Sequence, residues 1–403
     1  MKILFITPFG LHPKATVGDR ALRLAKALAA RGHHLTLLIP PWDDPERAGQ
    51  SWLDEGVQVV NVALPAGVPL LFHLLLTRTL VREAIQRQPE VIHFFKPKAY
   101  AGLAHLALWW LRRLRRETWR LVLDSDDWEQ AWNDISGYSA AQKMVFTWQE
   151  EWGLGHADAL TVASREIERL AQPYAGPTRQ VYLPNGLRPD GDFLTKVGDD
   201  GHQMAAIRQK WNLGSGPVIL LYSRFLEFRL ARIVSQVSQV AAEMAEARWL
   251  MVGQGLRGEE KALQAQLSQA GLSDYVRFTG WLPLAELPHY FQVASLAVYP
   301  YDDTLINRTK CSVKLLDLLA AGLPVVADAV GQNCEYIEAG VSGLLVPAED
   351  DAAFSQAIVT LLRQPAQGRT LGEAAARRMR ENYTWAHLGR TVEELYLEIL
   401  SDR

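Results

Sequence analysis

"SVKLLDLLAAGLPVVA", residues 312–327, reads as a buried helix that ends at Gly322 and Pro324 and delivers the chain into a valine-rich strand. A helix passed so directly to a fully apolar strand is the unit of a parallel sheet covered on both faces. Ser312 is the expected cap of that helix. Asp317 stands among its leucines. Helical side chains lean toward the amino terminus, where unpaired N–H groups accept an anion. A ligand with a diphosphate at that end and hydroxyls nearby would suit Asp317; so would an ion pair with Lys314, three residues earlier on the same face.

The same alternation extends outward in both directions. "KILFIT", "LTLLIP", "VIHFF", "RLVLDS", "ALTVAS" and "QVYLPN" are predicted strands, with helical stretches between most of them. A Gly-, Asp- and Pro-rich break over 185–217 reads as a linker. The pattern restarts with "VILLYS", "WLMVGQG", "VRFTG", "LAVYP" and "PVVADA". The expected fold is α/β, with two Rossmann-like, doubly wound parallel sheets over residues 1–185 and 186–384. An amphipathic helix follows over 385–403. Two such sheets facing each other form a cleft at the carboxyl ends of their strands, so the chemistry is expected in the loops after strands.

Bulk properties narrow the function. A net charge of −3 gives no support to nucleic-acid binding. Two cysteines, Cys311 and Cys334, lack metal-ligand spacing and fit a reducing, cytoplasmic compartment. "MKILFITPFG" breaks at Pro8 and Gly10 and is not a secretory signal. "LLFHLLL" is too short to span a bilayer. "TPFGLHPKATVG" lacks the G-x-G-x-x-G turn, which argues against a dinucleotide dehydrogenase.

Several strand-end residues carry candidate chemistry. In "YSRFLEFR", Arg224 and Arg229 could clamp a diphosphate and stabilise it as a leaving group, or be solvated surface arginines. Gly253 and Gly255 allow close backbone approach, or simply tight turns. In "DAVGQNCEYI", Gly331 could admit a ligand while Glu335 holds sugar hydroxyls, or Glu335 could be an acid favoured at a helix start.

In their order and spacing, "SRFLEFR", "MVGQG", "VRFTGWLP", "LAVYPY" and "KLLDLLAAGLPVVADAVGQNCEYIEAGVSGLLVP" resemble the GT-B nucleotide-sugar glycosyltransferases, family four most of all. "ILFITPF", "LAKALAARGHHLTLL" and "ADALTVAS…LPNGL" extend the resemblance over nearly the whole chain. It implies transfer of a sugar from a nucleotide diphosphate to an acceptor hydroxyl on a glycan, a linked lipid or a small molecule. It further implies retention of anomeric configuration and no cofactor beyond the donor substrate. Arg224 and Arg229 match the basic pair on the donor diphosphate. Asp317 matches the second acid of the family's paired-glutamate motif, which holds the ribose. Gly331 and Glu335 fall near the donor sugar, and Gly253 joins the donor loops. Gly18 lies in the first loop near donor phosphate and sugar, and Asn185 occupies the Asn-Gly between the domains. The final helix resembles the segment that crosses back to the first domain.

Two departures stand out. Thr309 replaces the first acid of the paired motif, and "NRTKCSVK" offers instead Lys310, Lys314 and the helix-start amides at Ser312 and Val313. In place of the family's histidine, "LVLDSDDWEQ" presents Asp124, Asp126 and Asp127. Asp126 or Asp127 could act as an acceptor-side base or sugar contact, or serve as a turn cap. Asp124-Ser125-Asp126 also mimics a metal-binding D-x-D. A metal-dependent transferase is therefore one alternative, and a non-catalytic sugar-nucleotide or membrane-binding homologue is another. Catalysis without metal is the expectation, because the cations already supply countercharge. His93 is a further candidate, although a lone strand-end histidine is commonly structural. "ALWWLRRLRRETWR", residues 107–120, could lie on the anionic inner face of a membrane, or cover the sheet with its tryptophans in the core.

Overall fold

A computed structural model describes residues 1–11, 16–65, 69–188 and 201–402. Its contacts divide the chain into two compact units. The first takes residues 1–188, the short return 309–311 and everything described from 385 onward. The second takes the described residues of 201–308 and 312–384.

The first unit is built on an eight-stranded sheet. Its strands are β1 (Lys2–Ile6), β2 (His34–Ile39), β3 (Ser51–Asp54), β4 (Val57–Asn61), β5 (Val91–Phe95), β6 (Arg120–Ser125), β7 (Ala159–Val162) and β8 (Arg179–Tyr182). They run in the order β3-β4-β2-β1-β5-β6-β7-β8, and all pairs are parallel except β3 with β4. Side chains alternate between the sheet faces. Leu4, Ile6, Ile92 and Phe94 enter one core, while Ile3, Phe5, Val91 and Phe95 enter the other. Burial on both faces explains why β1 and β5 read as nearly continuous apolar runs. The second core is completed by the helix Trp385–Ser401, which adds Trp385, Leu388, Val392, Leu395, Tyr396 and Ile399.

The second unit carries six parallel strands: β9 (Val218–Tyr222), β10 (Arg248–Val252), β11 (Val276–Gly280), β12 (Leu296–Tyr299), β13 (Val325–Asp328) and β14 (Leu344–Val346). Their order is β11-β10-β9-β12-β13-β14. The chain reverses its direction of travel across the sheet between β9 and β12, the kind of switch point where open α/β sheets bind ligands. In the first unit the corresponding reversal falls between β1 and β5.

Three expectations change. The break at 185–217 is not linker throughout: its residues Gly201–Lys210 form a helix that buries Ile207, while 189–200 lie outside the described residues. The antiparallel hairpin β3–β4 was not anticipated; it turns through Glu55 and Gly56, both at positive φ, as two-residue hairpins require. Ser312 stands at the N-cap but makes no cap bond to the helix; its hydroxyl meets the phenol of Tyr299 instead.

Candidate active site

In the second unit, the loop after β9 is held open by its own polar side chains. The Ser223 hydroxyl donates to Glu227 Oε2 at 2.8 Å and accepts the Phe225 N–H at 2.8 Å. Phe225 sits at φ 61° with its ring buried, a conformation uncommon for a bulky residue. Arg224, between buried Ser223 and buried Phe225, is the exposed residue of that turn. Arg229 follows, also exposed, at the N-cap of the helix Leu230–Glu243. Asp302 accepts both its backbone N–H, at 2.8 Å, and its Nε, at 3.2 Å. Behind these groups Arg232 is buried and binds Asp328 through two nitrogens, at 2.9 and 2.7 Å. Asp328 also accepts the Tyr301 N–H at 2.7 Å, so one ion pair ties together the ends of β12 and β13 and the helix after β9. Glu227, Arg232, Asp302 and Asp328 were not singled out from the sequence.

The helix Val313–Ala320 follows β12 at the same switch point. Asp317 is buried within it, and Ser312 at its start is buried too. The Lys314 ammonium lies over the Tyr222 ring, 4.9 Å from its centroid. Val313 and Lys314 are half-buried. Glu335 is half-buried in the short helix Asn333–Tyr336 after β13, where its carbonyl accepts the Tyr383 hydroxyl at 3.0 Å. Thus Arg224, Arg229, Gly253, Lys314, Gly331 and Glu335 occupy loops or short helical starts after four neighbouring strands, and Asp317 lies one turn into the helix after β12. Lys310 lies in the return segment that groups with the first unit, two residues before Ser312. A pocket of about 560 Å³ lined by Pro217, Ser295, Pro324 and Gly368 lies at the other, amino-terminal edge of the sheet.

The glycines divide by cause. At Gly253, φ is 123° and a Cβ would come within 2.0 Å of the Ser223 carbonyl oxygen. At Gly331, φ is 51° and a Cβ would meet the Arg308 carbonyl at 2.5 Å. The fold itself demands glycine at both. Gly18 has neither constraint: a Cβ there meets nothing within 4 Å among the described residues.

Gly18 lies in the π-helical turn Val17–Leu22 after β1, and two residues on stands Arg20. This arginine is buried, and it donates through Nε and Nη2 to the two oxygens of Asp124, at 2.7 and 2.6 Å. It also donates to Asn185 Oδ1 at 3.1 Å and to the Leu183 carbonyl at 2.8 Å. Asp124 accepts the Thr161 hydroxyl at 2.6 Å, and Thr161 lies 3.1 Å from His93 Nε2. His93 Nδ1 lies 2.6 Å from the Tyr396 hydroxyl. Burial, with Arg20 nearby, lowers the His93 pKa well below the usual histidine value. The ring is therefore neutral and the donors run one way, from Tyr396 through His93 and Thr161 to Asp124. His93 and Asp124 are parts of this internal chain.

After β5 and β6 a second cluster forms. Lys96 Nζ lies 2.8 Å from Asp126, 2.7 Å from Asp127 and 3.2 Å from Glu129. Burial works to lower the Lys96 pKa, but the three acids outweigh it and hold the ammonium well above the ordinary lysine value. Burial raises the pKa of Asp126 and Asp127 against the pull of Lys96. Asp127 is the more exposed of the two, with a quarter of its side chain accessible. The carboxylates of Asp126, Asp127 and Glu129 come close enough together to hold a metal ion; the Lys96 ammonium is shared by all three, and Lys98 adds a second ammonium on Glu129 at 2.7 Å. Of the two carboxylates in the D-x-D stretch, Asp124 binds Arg20 and Asp126 binds Lys96.

Two doubly wound sheets with cationic and carboxylate side chains gathered at the carboxyl ends of their strands define the GT-B class of transferase. Residues 15–186 match the family model described as "Glycosyl transferase 4-like domain", and 216–364 the one described as "Glycosyl transferases group 1". A GDP-mannose-dependent alpha-(1-6)-phosphatidylinositol monomannoside mannosyltransferase of Mycolicibacterium smegmatis is 23% identical, over 91% of this chain and 90% of its own. A phosphatidyl-myo-inositol mannosyltransferase of Mycobacterium leprae is 24% identical, over 98% and 96%. Among solved structures, sucrose-phosphate synthase from Thermosynechococcus elongatus superposes with a TM-score of 0.73 at 19% identity, covering all of both chains. Anabaena HepE in complex with UDP gives 0.70 at 17%, over 99% of this chain and 100% of its own. The chain belongs to glycosyltransferase family four, and it is a glycosyltransferase.

Proposed function

We propose that the enzyme moves a hexosyl group from a nucleotide diphosphate sugar to an acceptor hydroxyl with retention of configuration and without a divalent metal. The bond from the anomeric carbon to the diphosphate oxygen breaks, and a bond to the acceptor oxygen forms. Arg224, Arg229 and Lys314 meet the charge that gathers on the departing diphosphate. Asp317 holds the ribose hydroxyls, while Glu335 contacts the sugar. Asp126 and Asp127 orient the acceptor hydroxyl or take its proton. The observation that carries this reading is the convergence of Arg224, Arg229, Lys314 and Asp317 on the β9/β12 switch point. The names of the two mycobacterial relatives support GDP-mannose as the donor and an inositol phospholipid as the acceptor.

The test is direct. GDP-mannose and UDP-glucose are screened for thermal stabilisation, since a bound ligand raises stability by mass action. The better donor is then incubated with phosphatidylinositol after exhaustive EDTA treatment, and the anomeric configuration of the product is read by NMR. Stabilisation followed by metal-free turnover is expected. Stabilisation with no turnover toward any acceptor points to the non-catalytic homologue, and turnover that returns only with added magnesium or manganese defeats the metal-free assignment.

A further inference from the structure

We propose that the outer face of the helices Ala99–Arg115 and Ala140–Gly155 is a docking surface for an anionic lipid bilayer. Both helices cover the sheet, and Trp109 is buried beneath them. Yet Trp110 is 53% exposed, Leu114 75%, Met144 69% and Trp148 46%. Single exposed apolar residues need no explanation, whereas a joined set on adjacent helices does.

The two tryptophans are joined through aromatic contacts. The Trp110 ring meets Trp109 edge-on with centroids 4.9 Å apart; Trp109 meets Trp152 at 5.6 Å, and Trp152 meets Trp148 at 6.2 Å. Two exposed indoles are thus the ends of one continuous band whose middle is anchored in the protein. Indole rings favour the depth of lipid headgroups, where an apolar body and a polar N–H are both accommodated.

Charge selects the occupant. The stretch 99–116 contains no acid and ends with Arg112, Arg113, Arg115 and Arg116. Arg112 is engaged by Asp158, and the Arg113 guanidinium lies 3.8 Å from the Trp109 ring centroid. Arg113, Arg115 and Arg116 are exposed beside the aromatic band. Arginines at the rim of an exposed apolar band match an anionic headgroup layer. A second copy of the chain is a poorer partner, because these two helices carry no exposed carboxylate to meet the arginines. No described helix is long and apolar enough to cross the membrane, so the contact would be with its surface.

The proposal is independent of donor and acceptor identity, and so is its test. Wild type is sedimented with vesicles of phosphatidylcholine alone and with phosphatidylglycerol added, at low and high salt. It should bind only the anionic vesicles, and salt should release it. Trp110→Ser with Leu114→Ser, and separately Arg115→Glu with Arg116→Glu, should each cut binding about tenfold or more. Their Tm and their thermal response to nucleotide sugar should match wild type. Equal binding to neutral and anionic vesicles, no binding at low salt, or full binding by both variants would overturn the proposal. So would a wild-type dimer in solution that Trp110→Ser dissociates while vesicles capture nothing, which would make this face a contact between copies.

Discussion

Arg20 grips Asp124 through two parallel hydrogen bonds of 2.7 and 2.6 Å, although 104 residues separate them. Both side chains are buried, so neither charge has water to fall back on. The pair fastens the turn that carries Gly18 to the end of β6, one residue before Ser125 and the Asp126–Asp127 loop.

Removing one partner leaves the other charged and buried. Arg20→Met should therefore cost ~3–5 kcal/mol in urea denaturation, the usual penalty for breaking a buried pair from one side. Arg20→Met combined with Asp124→Leu should recover part of it. A single-variant loss below ~1 kcal/mol would show that water reaches this pair.

The three glycines make a second prediction. Gly253→Ala and Gly331→Ala should lower stability, because both have positive φ and a Cβ would strike backbone. Gly18→Ala should leave Tm within a degree or two, yet lower kcat/KM, if donor atoms occupy the open space beside it. Normal activity in Gly18→Ala would remove Gly18 from the site.

Arg224 and Arg229 are exposed, so their loss should spare stability and strike catalysis. Arg224→Ala should cost ~2–4 kcal/mol of transition-state stabilisation. Arg229→Ala should cost less, because part of its guanidinium is already committed to Asp302. Steady-state kinetics with the best donor decide it, and wild-type kcat/KM in both variants would release the pair from any role at the diphosphate.

Lys96 gives a prediction in the opposite sense. With its ammonium gone, Asp126, Asp127 and Glu129 are three carboxylates without their shared cation. Lys96→Ala should lower Tm, and calcium should restore some of the loss, whereas wild type should not respond to calcium. Calcium stabilising wild type equally would mean that the ammonium does not hold the site.

Glu150 supplies a pH dependence. It accepts the backbone N–H groups of Glu129 and Gln130, but burial, reinforced by the Glu129 charge, pushes its pKa up to about 8. An acid raised in the folded state is fully stabilising below its unfolded value of about 4.3. That contribution is lost as pH rises toward and through 8, by up to about 1.4 kcal/mol per unit. Wild-type Tm should therefore fall more steeply between pH 5 and about 8 than that of Glu150→Gln. Parallel profiles would mean that Glu150 ionises at its ordinary value.

The doubly wound architecture was legible because strands buried on both faces are dominated by apolar residues, with few polar ones such as His93 and Thr161 among them. The β3–β4 hairpin was not, since edge strands alternate and "DEG" is a weak turn signal beside Asn-Gly. The helix Gly201–Lys210 hides in polar sequence because only Ile207 among its residues is fully buried. Asp317 was found as a charge on an apolar helical stripe. The same signal was present at Arg20, three residues after Val17 and four before Leu24, and at Arg232 beside Ile233. Their partners were invisible because they come from strand ends about one hundred residues away. At Ser312 the expected cap failed because the Tyr299 phenol competes for its hydroxyl.

The helix Trp385–Ser401 carries Tyr396 to His93 and completes a core begun by Ile3 and Phe5. A nascent chain emerging from the ribosome therefore offers the first sheet hundreds of residues before one of its walls exists. Domains synthesised first ordinarily fold first. Here the later unit can finish while the earlier one waits, with part of an apolar sheet face uncovered until the helix Trp385–Ser401 has emerged. A ribosome stalled before residue 385 should hold that face accessible to chaperones, and emergence of the helix Trp385–Ser401 should close it.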